Sequence, residues 1–295
     1  MNTSATPRIV VGVSGSPASL RAVEEAARAA QSRALPLHLA HVFNWLPDAT
    51  GDPSAARSML RQAAVAAVRI APALDITTEL VEGRPLTGLL RLSRRAALTV
   101  IGDGNLNDLT CMPRDAIAVQ LTARGFGSVV VTRAWPVPDG PVLVGVDGSA
   151  AAEPVLDFAF DAAAHRRQGL LVVHVLESGD RTDALDQMVA SRALASGVDA
   201  RLRVLDGDPT TVMARQSHEA SLIVVGARGR SPYHGLLGSV TQTLLHHGPA
   251  SVAVIRGAVP ESRRPARSDA TPRRRAIVCA RVPEAAAGTR EATPV

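Results

Sequence analysis

The sequence contains one pattern written twice. Residues 8–43 align without a gap to residues 141–176 at an offset of 133, with thirteen of 36 positions identical. The shared positions include Val11/Val144, Gly12/Gly145, Gly15/Gly148, Ser16/Ser149, His41/His174 and Val42/Val175. Farther along the offset is 124: Gly83-Arg84-Pro85 matches Gly207-Asp208-Pro209, and Ile101-Gly102 matches Val225-Gly226. Both copies close alike, with Val129 to Arg133 against Val252 to Arg256. Repeats of this length are domains, each long enough to bury a core of its own. We read residues 7–134 and 139–256 as tandem domains joined by a short Pro-rich linker, followed by a tail over 257–295.

Within each copy, short Val-, Ile- and Leu-rich runs alternate with longer Ala-rich amphipathic stretches. In the second copy this places strands near 141–147, 169–176, 199–205, 220–226 and 250–256. Helices fall near 150–167, 183–196, 209–218 and 239–246. The strands read as unbroken apolar runs, as when helices cover both faces of a parallel sheet. Asp208-Pro209 has the form of a helix cap followed by proline in the first turn. The expected class is α/β, two doubly wound domains with right-handed crossovers. Ligands of such sheets bind beyond the carboxyl ends of the strands, so the loops after strands one, two and four are where function should be sought.

Composition removes several alternatives. The 295 residues carry 32 basic side chains, all Arg, because the sequence contains no Lys. A phosphate loop that depends on Gly-Lys-Ser/Thr is therefore excluded, and so are Schiff-base mechanisms. The tail holds eight Arg and four acids, +4 of the formal net charge of +5. The body thus has little pull toward nucleic acid, and seven aromatic residues are too few for a base-stacking platform. Cys111 and Cys279 form no disulfide framework or thiolate metal cluster. No apolar run approaches the roughly 20 residues that span a bilayer, and no signal peptide is visible. The expected location is the cytoplasm, away from the membrane. The tail mixes Pro, Ala, Thr and Arg without period and reads as disordered, apart from a short apolar patch at Ala276 to Cys279.

Two segments carry candidate chemistry. Strand one of the second copy ends Val146-Asp147-Gly148-Ser149. A carboxylate there can accept hydrogen bonds from ribose hydroxyls or a base amine, and it can equally satisfy amides of the turn. Strand four runs into Gly226-Ala227-Arg228-Gly229-Arg230, and Gly238-Ser239 then opens a helix. Glycines let backbone amides approach a ligand, and the unpartnered amides of a helix start form an anion site. Arg228 and Arg230 could clamp phosphate oxygens. His234 reads as a loop histidine, the pair His246-His247 as a helix terminus, and His41 and His174 as residues that shape the cleft.

These motifs resemble the universal stress proteins in their tandem form, over about residues 7–256. The resemblance rests on Val-Asp-Gly-Ser at 146–149, His-Val at 174–175 and the glycine loop at 226–239. It implies a five-stranded parallel sheet in each domain, order 3-2-1-4-5. It also implies pairing through the fifth strands, within the chain or between two chains. Asp147 and Val175 would border a nucleoside, while Gly226, Gly229, Gly238 and Ser239 would hold ribose and phosphates of ATP, with magnesium. The sequence departs from the family pattern twice. Eight residues instead of nine separate Gly229 from Gly238. In the first copy Ser14 replaces Asp147, no Gly-Ser helix start follows Gly102, and Asp103 and Asp108 stand where phosphates would lie. The expectation is a regulatory, stress-response module that binds ATP in the second domain without efficient turnover. The rival readings are a slow ATPase or phosphotransferase and a nucleotide-free structural protein.

Overall fold

A computed structural model describes residues 7–43, 53–104, 116–134, 139–149, 152–176, 182–227, 237–256 and 277–279. The first domain runs β1 (Arg8–Gly12), α1 (Pro17–Ser32), β2 (Leu37–Phe43), α2 (Pro53–Ile70), β3 (Ile76–Glu82), α3 (Pro85–Ser93), β4 (Ala96–Gly102), α4 (Ile117–Arg124) and β5 (Ser128–Thr132). The second repeats the order: β6 (Val142–Val146), α5 (Ala152–Arg166), β7 (Leu170–Val175), α6 (Asp183–Ser196), β8 (Ala200–Leu205), α7 (Pro209–Gln216), β9 (Leu222–Gly226), α8 (Ser239–His247) and β10 (Ser251–Ile255). A 3-10 turn at Ser217–Glu219 extends α7. Asp208 caps α7 as its sequence suggests, accepting from the Thr211 amide at 2.8 Å, with Pro209 in the first turn. No helix among the described residues is long and apolar enough to cross a membrane.

Each domain is a parallel sheet of order 3-2-1-4-5, and the two sheets are one. β5 and β10 pair antiparallel, Val131 opposite Val252 and Val129 opposite Val254, so the strands run β3-β2-β1-β4-β5-β10-β9-β6-β7-β8. Alternation along the strands divides the core between the faces. Ile9, Val11, Val142 and Val144 join α1, α2, α5 and α6 in a cluster continuous across both domains. Leu143, Val173, Val225 and Val252 point the other way, toward a cluster that takes in α4, α7 and α8. The Ala-rich composition of α1 has a packing reason. Ala22, Ala26, Ala27 and Ala30 are fully buried, and their small side chains let the helix lie close on the sheet.

Charged side chains stitch the domains together around an approximate two-fold axis. The Arg33 guanidinium pairs with Asp161 at 2.5 Å and lies 5.0 Å from the ring centroid of Phe158. Its repeat counterpart Arg166 pairs with Glu25 at 2.6 Å. Of the tail read as disordered, residues 257–276 and 280–295 lie outside the described set, and the apolar patch set apart from that reading is described at Ile277–Cys279. Those residues form a strand, β11, antiparallel to β3, with Ile277 opposite Leu80 and Cys279 opposite Thr78. The open edge of β3 offers unpaired backbone groups to an apolar segment of the same chain.

The first domain also contains a polar cluster that its sequence did not advertise. His38 Nδ1 is 2.8 Å from Thr77 Oγ1, and Nε2 is 2.9 Å from Glu79 Oε2. The bond from His38 holds the Glu79 carboxyl below the usual range; burial opposes it, and the charges of His38, Arg91 and Arg8 assist. A carboxyl depressed on folding contributes stability that is complete above its unfolded pKa, about 4.3, and is lost as pH falls through the lower folded value. Glu79→Gln is therefore expected to lower the melting temperature at pH 7. It should also shrink the further drop on acidification below about pH 4. Calorimetric melts of both proteins across that range check this, and parallel curves would refute it.

Candidate functional site

Strand register brings most of the sequence-derived candidates to one edge. Val146 lies opposite His174, and Gly145 opposite Val225, so β6, β7 and β9 end level with one another. Asp147, Val175 and Gly226 therefore stand side by side at the carboxyl edge of the second domain. Gly148 makes the turn after β6 at φ +70°, a conformation that favours glycine. His174 secures the end of β6: its Nδ1 donates to the Val146 carbonyl at 3.0 Å. His41 does the same for Val13 in the first domain, at 2.7 Å. A carbonyl only accepts, so the proton sits on Nδ1 in both copies. These histidines shape the cleft by fixing strand ends.

Asp147 divides its two oxygens. Oδ1 accepts from the Ser149 amide at 3.0 Å, the ordinary work of an aspartate in a turn. Oδ2 is buried and has no hydrogen-bond partner among the described residues, and Ser149 Oγ is in the same state. A buried carboxylate oxygen without a donor is costly, and a ligand hydroxyl or amine would satisfy it.

The helix start lies against the same edge. Gly238 donates from its amide to the Ala227 carbonyl at 3.1 Å. Thr241 Oγ1 donates to the Gly226 carbonyl at 2.8 Å, tying the first turn of α8 to the end of β9. Gly238 is the capping residue and has no side chain with which to cap the helix. Among the described residues no side chain is bonded to the first amides of α8, and Ser239 is exposed beside them. Asp147, Val175, Gly226, Gly238 and Ser239 are gathered at one end of the sheet; Gly229, Arg228, Arg230 and His234 lie outside the described residues, as does the shortened loop.

The first domain clarifies what each residue does. At the position of Asp147, the Ser14 hydroxyl lies 3.1 Å from Ser16 Oγ, and Ser16 caps α1 by accepting from the Ser19 amide. The turn glycine, Gly15, has Met59 against it, with Sδ 3.2 Å from where a Cβ would be. Gly102, the counterpart of Gly226, has a reason to be glycine that involves no ligand. A Cβ there would come within 2.8 Å of the Ala18 and Ser19 backbone, so α1 could not pack as it does. Asp103 is corrected. It is 1% exposed and sits 3.9 Å from Arg133, so its charge faces an arginine and not the cleft. Asp108 lies outside the described residues.

Sequence reading missed Thr241 and the buried Arg133. The signal for Arg133 was present, since both copies end their fifth strand with arginine. A groove of about 170 Å³ opens at the opposite, amino-terminal end of the second domain, lined by Leu143, Leu171, Arg201, Arg203 and Gln216. Its first-domain equivalent has His38 in place of Leu171 and Arg8 in place of Pro141.

Comparison with known proteins agrees with this architecture. A universal stress protein of Mycobacterium tuberculosis is 30% identical over 286 residues, covering 84% of this chain and 96% of its own length. The crystal structure of a universal stress protein from Archaeoglobus fulgidus superposes with a TM-score of 0.65 at 18% identity, covering 85% of this chain and 99% of that one. A universal stress protein solved in complex with cAMP is 27% identical, covers 45% of this chain and 100% of that one, and has a TM-score of 0.38. The model of the universal stress protein family matches residues 6–131 and again 140–256, and with the doubled 3-2-1-4-5 sheet this means that the chain belongs to that family.

Proposed function

We propose that the second domain binds ATP, and that the protein acts as a cytoplasmic, nucleotide-dependent regulatory module. The observation that carries this reading is the placement, at the ends of the adjacent strands β6 and β9, of a half-satisfied aspartate and a helix start whose capping residue is glycine. Asp147 Oδ2 would accept from a ribose hydroxyl or the adenine amine, with Val175 against the nucleoside. The amides at the start of α8 and the Ser239 hydroxyl would donate to phosphate oxygens, helped by the roughly half positive charge of a helix N-terminus. Gly226, Gly229 and Gly238 would keep side chains out of the way of that approach. Magnesium would be held by the phosphates. Among the described residues no three His, Cys, Asp or Glu side chains gather around a point where they could hold an ion.

Binding without efficient turnover is expected because the motifs offer no lysine, no evident general base and no pair of acids to hold a metal for phosphoryl transfer. The first domain is expected to bind no ATP. It lacks the aspartate, and its serine turn is satisfied internally.

Calorimetric titration of the full chain should give one ATP per molecule. Ser239→Ala removes a hydrogen bond to a charged group, roughly 1.5–3 kcal/mol or about ten- to hundredfold in ATP affinity. It should leave adenosine binding alone. Asp147→Ala should weaken adenosine and ATP together. A stoichiometry of two, or ATP affinity indifferent to both changes, would place the nucleotide elsewhere. Single-turnover hydrolysis slower than about one per second is expected, and faster turnover would make the protein an ATPase.

A further inference from the structure

Helix α8 is held at its far end by the other domain. Arg133, just beyond β5, sends Nη2 to the carbonyls of Leu244 and Leu245 in the last turn of α8, at 3.2 and 2.6 Å. Its own amide reaches Ser251 Oγ at 3.4 Å. The arrangement is reciprocal: Arg256, just beyond β10, sends Nη2 to Thr122 and Ala123 in the last turn of α4, at 2.6 and 2.7 Å. Each arginine thereby reaches carbonyls in the last turn of the other domain's helix; Leu245, Thr122 and Ala123 are among those a helix end leaves short of partners, while Leu244 also accepts from the Gly248 amide at 2.8 Å. Each also places a guanidinium where the helix dipole is negative.

The two halves of this clasp differ in burial and at one pair of equivalent positions. Arg133 is 3% exposed and faces Asp103, one residue beyond the end of β4. Burial lowers the Arg133 pKa and Asp103 opposes that effect. Arg256 is only partly buried, and the position equivalent to Asp103 in the second domain is Ala227. An ionised arginine inside a protein needs a counter-charge, and Asp103 supplies one to the arginine that grips α8. The helix so gripped is also the one with the Gly-Ser start.

We propose that Arg133, with Asp103 as its counter-charge, is a positioning residue for the phosphate end of the second domain's site, so that the first domain completes a site it does not itself contain. This rests on the nucleotide reading given above. α8 has nine residues, so about 13 Å of rigid helix separates the arginine from the amides that would meet phosphate. A short helix pinned at one end by Thr241 and at the other by Arg133 has little freedom to tilt. Small displacements of donors matter because hydrogen bonds weaken steeply with distance and angle.

The test uses the full chain and four proteins: wild type, Arg133→Gln, the double variant Asp103→Asn with Arg133→Gln, and Arg256→Gln. The double variant avoids stranding a buried carboxylate if the single change does not fold. Affinities for ATP and for adenosine are measured by calorimetry. The Arg133 variants are expected to lose about three- to tenfold in ATP affinity and to keep adenosine affinity, whereas Arg256→Gln keeps both. If Arg133 and Arg256 variants weaken ATP equally, or if ATP and adenosine fall together, the clasp is general glue and the proposal is overturned. Wild-type binding with no effect at Arg133 overturns this inference alone. No binding by wild type overturns the nucleotide reading as well.

Discussion

The antiparallel ladder between β5 and β10 is the contact on which the rest of the molecule depends. A five-stranded parallel sheet with its fifth strand unpaired would expose a row of backbone donors and acceptors along Val129, Val130 and Val131. The second copy has the same liability along Val252, Ala253 and Val254. Exposed apolar edges of that kind invite uncontrolled pairing. Tandem duplication supplies each edge with a matched partner on the same chain, and the register sets valine against valine on either side of the Ala253–Val130 pair. The single sheet then aligns α1 with α5 on one face and brings Arg133 and Arg256 to the opposite helices. The distal edges are managed differently: β11 lies along β3, while β8 carries Arg201 and Arg203.

Much of this architecture was legible in the sequence, for a definite reason. Period and punctuation are local, so unbroken runs such as Leu222–Val225, the Asp208-Pro209 cap and the Ala-rich helices declare themselves within a dozen residues. Element boundaries in the second copy fall within two residues of those read from the sequence. What could not be read was pairing across distance. Asp103 looked like a charge in the wrong place because its partner, Arg133, is thirty residues away in sequence and meets it only once β4 and β5 lie adjacent. The task of His38 is likewise set across distance, because Thr77 and Glu79 reach it through the β2–β3 register.

Gly226 teaches a different lesson. Sequence reasoning assigned this glycine to ligand approach, and loop glycines do serve that end. The first domain shows that close packing of helix on strand already demands a glycine at the equivalent Gly102. A glycine at this place would be kept whether or not a nucleotide came near it. The case for a site in the second domain therefore rests on Asp147, with its buried, unpartnered Oδ2, and on the start of α8.

Comparing the copies separates what the fold needs from what a site would need. Both copies have a strand-end histidine, a positive-φ glycine after the first strand, a glycine ending the fourth strand and an arginine after the fifth. Each of these makes a contact that secures a strand, turn or interface. The copies differ at Asp147 against Ser14, at the Gly-Ser helix start, and at Asp103 against Ala227. The first two lie beyond the strand ends, outside the sheet ladder, and the first copy keeps the same strand order without them. The third lies in the core of the interface. A change there answers to neither the local turn nor a ligand in its own domain, and the helix it reaches through Arg133 belongs to the copy that kept the other two.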